Sequence, residues 1–108
     1  MQLENSESIG KWREQFGRTS LARLVIRANK EMSELLDKVV LLDGDISPND
    51  EIEIAKEIAD VIICLHAASA YLGREAYDDV DAKMKINRAR KWVADGKGCA
   101  QHVPGTGE

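Results

Sequence analysis

The sequence predicts an all-α protein: a bundle of about four helices, one short and three long, oligomeric, with a flexible C-terminal tail over 95–108. Three observations predict it. Apolar residues recur at i, i+3, i+4 and i+7 along most of the chain. Alternation of β-branched residues is nowhere sustained. Turn-forming residues fall at Gly17, at 44–48, at Gly73 and from Gly96 onward, leaving helix-length segments between them. The 108 residues fit a single domain over 1–108, and 44% hydrophobic residues supply one core. A thin bundle this apolar has further surface to bury, hence the expected oligomer.

The first helix is expected over 6–16, capped by Asn5 or Ser6 and ended by Gly17. Trp12 and Phe16 are four apart and share its face, either as core residues or as a stack for a nucleobase. The second helix is expected over 20–42, with Thr19 or Ser20 as cap and Asp43 and Gly44 as stop. Leu21, Leu24, Val25, Ala28, Met32, Leu35, Leu36 and Val39 form its apolar stripe. The third has the clearest start: Ser47 as N-cap, Pro48 at the first helical position, and Asp50 and Glu51 in the first turn. It runs to Leu72, and its stretch over 58–72 is apolar almost all round, which predicts the buried centre of the bundle. The fourth is expected over 75–93, acidic first and basic last, in agreement with the helix dipole. The tail has four glycines and a proline and reads as a loop, a disordered end or a flap.

Charge excludes several functions. Fifteen Lys and Arg against nineteen Asp and Glu leave a net charge of −4, which argues against a nucleic-acid-coating role even though 83–91 carries five basic residues. No run of about 18 apolar residues predicts a membrane span, and the N-terminus lacks a secretory pattern. Cys64 and Cys99 form no CxxC motif, so neither a disulfide framework nor a structural zinc site is expected. Cys64 reads as a small buried hydrophobe, and the chain as cytoplasmic. His66 lies in the apolar helix and is expected as a hydrogen-bonded core histidine; His102 lies in the tail. No serine or cysteine has a base beside it in sequence, so a nucleophilic triad has no support.

The residues out of place are acidic. Glu31 and Glu34 are spaced i, i+3 on the second helix, and Glu57 and Asp60 likewise on the third. Antiparallel packing of the two helices would bring both pairs together. Unpaired carboxylates in a partly dry site repel, and protons, basic partners or a divalent metal relieve them. Oxygen ligands without His or Cys favour Mg²⁺ or Mn²⁺ over zinc, and Mg²⁺ takes phosphate oxygens readily. ExxE alone is common on solvated faces; its weight here comes from Glu57 and Asp60 heading an apolar helix. Lys83, Asn87 and Arg90, spaced i, i+4, i+7, form either a solvated basic turn or a stripe able to hold phosphate and sugar oxygens.

These blocks resemble a known family. KEMSE over 30–34 followed by EIAD over 57–60 resembles the EExxE…ExxD signature of the MazG-like all-α nucleoside triphosphate pyrophosphohydrolases, and KMKINRAR over 83–90 resembles their Lys–Asn–Arg block. IGKWREQFG near the N-terminus and NRARKW…DG…QHV near the C-terminus look like the phage and bacterial dATP/dGTP pyrophosphohydrolase branch. Lys30 stands where the first Glu of EExxE is usual.

The resemblance implies hydrolysis of a (deoxy)nucleoside triphosphate between the α- and β-phosphates, in a homodimer or homotetramer that cleanses nucleotide pools. Its cofactor is Mg²⁺, with Mn²⁺ as a substitute, held by Glu31, Glu34, Glu57 and Asp60. Lys83, Asn87 and Arg90 match the family's Lys–Asn–Arg block and are expected to hold phosphates or sugar; on the residues alone Glu34 and Glu57 are expected as catalytic acids and Trp12 or Phe16 as the contact for the base. Two other functions fit the sequence: a non-enzymatic helical interaction module with an acidic groove, and a related pyrophosphohydrolase acting on phosphoribosyl-ATP.

Overall fold

The computed structural model describes residues 3–42 and 44–107. Four helices carry most of the chain: α1 (Ser6–Arg13), extended by a 3₁₀ turn over Glu14–Phe16, then α2 (Leu21–Val40), α3 (Pro48–Tyr71) and α4 (Ala76–Ala89). Two short strands follow, β1 (Trp92–Ala94) and β2 (Ala100–His102). The chain groups into two units, Met1–Ala76 and Tyr77–Glu108. Among the described residues no helix is long and apolar enough to cross a membrane.

In the first unit the caps form where the sequence places them. Asn5 accepts from the Ser8 N–H while Ser8 returns a bond to the cap backbone, and Ser47 and Asp50 do the same at α3. Each such cap stabilises by about 1 kcal/mol. Gly73 takes a left-handed φ of 70° after α3, and Arg74 N–H closes the helix end on the Ser69 carbonyl at 2.9 Å. The stop expected at Asp43 lies outside the described residues.

Helices α2 and α3 make the principal contact of this unit and run antiparallel. Leu24 meets Ala67 and Ala68, Glu31 meets Glu57 and Asp60, and Lys38 pairs with Glu53, so the two sequences count in opposite directions along the seam. Helix α1 closes this core through Ile9. It lies so near α3 that a Cβ on Gly10 would stand 2.6 Å from the Ala70 Cβ. Only a hydrogen fits there.

Ser6 is fully buried and ties three segments together. Its Oγ accepts from the Ala76 N–H at 2.9 Å, donates to Glu75 Oε2 at 3.1 Å, and lies 2.7 Å from His66 Nδ1. A hydroxyl has one proton, so with that proton on Glu75 the imidazole must donate from Nδ1. His66, only 3% exposed, is thus the hydrogen-bonded core histidine expected from sequence.

One expectation is corrected. The stretch 58–72 of α3 is not buried all round: Val61, His66, Ala67 and Ala68 are buried, but Ile58, Ile62, Leu65 and Leu72 are exposed. Within this unit α1 and α2 cover the inner face of α3, and the opposite stripe is left to solvent.

The second unit also departs from the reading of its sequence. Helix α4 stops at Ala89, short of Val93, because Trp92–Ala94 pairs antiparallel with Ala100–His102. Trp92 Nε1–H donates to the Asn87 carbonyl at 2.7 Å, satisfying an acceptor freed by the helix end. The glycine-rich segment between the strands is an ordered turn. Asp95 Oδ1 accepts from the N–H groups of Lys97 and Cys99, and Gly96 and Gly98 supply the left-handed φ that the turn needs.

Candidate active site

The i, i+3 spacing on α3 sets Glu57 and Asp60 on one face, and antiparallel α2 brings Glu31 against it. One carboxylate oxygen from each of the three lies within 4.8 Å of the others. Glu31 is buried, at 7% exposure, and Glu57 is half-buried with its Oε2 shut off from solvent and without a hydrogen-bond partner. A buried carboxylate oxygen without a donor is costly. The donor set is all carboxylate, so a hard divalent cation fits it and satisfies the orphaned oxygen. One cation is already at hand: Arg27 Nη2 lies 2.9 Å from Glu31 Oε1.

Glu34 is placed differently. It is exposed and stands outside the three-acid cluster, one turn beyond Glu31. A side-chain hydrogen bond with Glu31 raises its pKa above the ordinary 4.5, since two carboxyls share such a bond only while one keeps a proton. The charges of Glu31 and Glu57 add to the rise, and Lys30 opposes it. Cys64, one turn after Asp60, is half-buried rather than sealed in the core. Burial pushes its thiol pKa up, Glu31 and Asp60 add to that, and Arg27 offsets it.

A cavity of about 540 Å³ opens from Glu31 and Asp60 toward Trp12 and Phe16. The two rings meet edge to face, with centroids 5.2 Å apart, and are 57% and 64% exposed. Both rings line this cavity rather than the core of the single chain. Arg23 and Arg27 line it too. Sequence reading passed over both; the available signal was their spacing, since 23, 27 and 31 fall one turn apart on α2.

No protein-family model matches the sequence. The fold matches a solved structure, the cyanophage S-2L MazG-like pyrophosphohydrolase bound to dGDP and three catalytic Mn²⁺ ions per active site, with a TM-score of 0.67 and 25% identity over 94% of this chain and 90% of that one. In sequence, a dATP/dGTP diphosphohydrolase of cyanophage S-2L is 30% identical over 80 residues, 74% of this chain and 72% of that protein. The chain belongs to the MazG-like pyrophosphohydrolases. Its similarity lies with the phage branch, and its activity class is that of a nucleotide pyrophosphohydrolase.

The remaining predicted contacts of this MazG-like pyrophosphohydrolase fall in its second unit. Lys83 is exposed, and Asn87 and Arg90 are half-buried, Arg90 just past the end of α4. Asn87 Oδ1 and Arg90 Nε are buried with no hydrogen-bond partner. His102 packs at 5.8 Å against Trp92, its Nε2 3.3 Å from the Thr106 carbonyl.

Proposed function

We propose that this pyrophosphohydrolase cleaves a (deoxy)nucleoside triphosphate between its α- and β-phosphates, giving the monophosphate and pyrophosphate, with Mg²⁺ as cofactor and Mn²⁺ as substitute. The observation that carries the reading is the convergence of Glu31, Glu57 and Asp60 within 4.8 Å, with an unpartnered buried oxygen on Glu57. The cyanophage S-2L matches, a dATP/dGTP diphosphohydrolase in sequence and a pyrophosphohydrolase bound to dGDP and Mn²⁺ in structure, agree with it.

In this reading Glu31, Glu57 and Asp60 hold the divalent ion, with Glu34 completing the set from the next turn. The ion supplies neutralisation of the polyphosphate and polarisation of a water. Glu34, exposed one turn beyond Glu31, accepts the proton of the water that attacks the α-phosphorus. Trp12 and Phe16 receive the base on their cavity-facing surfaces, and the apolar wall excludes water from it. Lys83, Asn87 and Arg90 hold phosphate or sugar oxygens and balance charge on the departing pyrophosphate. The exposed stripe of α3 packs against another copy, giving a homodimer or homotetramer, and the enzyme cleanses cytoplasmic nucleotide pools.

The test is a panel of natural and modified nucleoside triphosphates, with phosphoribosyl-ATP included, assayed for pyrophosphate release with Mg²⁺ and with Mn²⁺. At least one nucleotide is expected to turn over. Glu57→Gln is expected to lower the rate by at least about a hundredfold while leaving the helical circular dichroism intact. Full activity in that variant would remove Glu57 from the site. Silence across the panel, together with no thermal shift for any metal and nucleotide pair, would favour an interaction module instead.

A further inference from the structure

We infer that Arg27 is a resident counter-ion of the acidic cluster, one that gives way to the divalent ion and passes to the nucleotide's phosphates. The inference rests on the function proposed above and adds a residue to it.

The geometry is specific. Arg27 precedes Glu31 by one helical turn, and its Nη2 lies 2.9 Å from the Glu31 Oε1. The two ends of that pair differ in environment: the Arg27 side chain is 60% exposed, whereas the Glu31 side chain is 9% exposed. Glu31 therefore needs a cation, while Arg27 does not need Glu31, because water can solvate its guanidinium. Arg27 also lines the cavity that holds Glu31, Asp60 and the two aromatic rings.

A divalent ion held by Glu31, Glu57 and Asp60 competes with Arg27 for the same carboxylate. A divalent ion on the same carboxylate repels the guanidinium and weakens its hold on Glu31. The Arg27 side chain is long and 60% exposed, so it can rotate away into water at little cost. A polyphosphate drawn into the cavity offers it better acceptors, because guanidinium pairs with phosphate in two parallel bonds. Arg27 thus discourages metal binding when no nucleotide is present and favours it when one is. The two ligands become linked through one side chain, and each tightens the other by the same factor.

The experiment measures Mn²⁺ binding by calorimetry on wild type, Arg27→Gln and Arg27→Lys, alone and with a non-hydrolysable α,β-methylene deoxynucleoside triphosphate. Arg27→Gln is expected to bind Mn²⁺ alone about two- to fivefold more tightly than wild type. It is expected to bind the analogue about tenfold more weakly with Mn²⁺ saturating, and Arg27→Lys should fall between. Metal-free Arg27→Gln should melt below wild type, since Glu31 loses its partner, and saturating Mn²⁺ should close that gap. Unchanged or weaker Mn²⁺ affinity in Arg27→Gln, or a gap that persists with the metal bound, would overturn the inference alone. A wild type that binds Mn²⁺ no better than Glu57→Gln would overturn the metal site itself and this inference with it.

Discussion

Glu31 and Glu34 lie one turn apart on the same helix and still differ in what surrounds them. Glu31 is buried with an arginine; Glu34 is exposed, with a raised pKa set first by its hydrogen bond to Glu31. The raised pKa fixes the sign of a pH effect. The native state takes up the Glu34 proton at a higher pH than the unfolded chain, whose ordinary value is 4.5. The native state therefore binds more protons between those two values, and stability falls as pH rises through that window. Metal-free protein is expected to gain stability on acidification from neutral pH toward 4.5 through this group, and Glu34→Gln to lose that part of the gain. Urea melts of both proteins across the window check it; identical slopes would count against the coupling. At this scale the acids were legible in sequence because i, i+3 spacing and an apolar setting mark a carboxylate as out of place. Arg27 was not, because an arginine on an exposed helix face looks solvated until the packing shows which acid it meets.

Helices were legible because each carries both a period and its own punctuation. The caps at Asn5 and Ser47 and the stop at Gly73 form where local chemistry demands them. The hairpin after α4 was not legible: its strands are three residues each and are held by an Asp95 turn and a Trp92 side-chain bond, features with no period. The close approach of α1 to α3 was equally silent, because a glycine inside a helix looks like a weakness rather than a fit. Gly10→Ala tests it. Alanine gains about 1 kcal/mol in helix propensity, but its Cβ would stand 2.6 Å from Ala70, and overpacking of that kind costs about 1–3 kcal/mol. Trp12 lies two residues on, so pushing α1 away displaces an aromatic wall of the cavity. The expected result is a lower Tm and a nucleotide KM raised several-fold with a smaller change in kcat. A variant as stable as wild type with unchanged KM would show that α1 yields without consequence.

For the whole molecule, apolar side chains outrun the surface that one chain can bury. Val25, Met32 and Leu36 share a stripe of α2, and Ile58, Ile62 and Leu65 share one of α3, and all six are exposed. Isolated exposed apolar residues are ordinary, whereas an apolar stripe repeated along a helix is of the kind that marks an interface. The sequence signalled the excess through the all-round apolar character of 58–72 but could not say which side α1 and α2 would leave open. A second copy of the chain is the simplest cover, because an isologous contact pairs the same stripe with itself and closes without leaving an edge. Sedimentation velocity at micromolar concentration is expected to show a dimer or a tetramer. Ile62→Glu places a charge in the middle of the α3 stripe, outside the cavity, where burying it unpaired is expensive. That variant is expected to shift to a smaller species while keeping its helical circular dichroism. A wild type that sediments as a monomer, or an Ile62→Glu protein that assembles as wild type does, would move the interface elsewhere and leave this stripe without a partner.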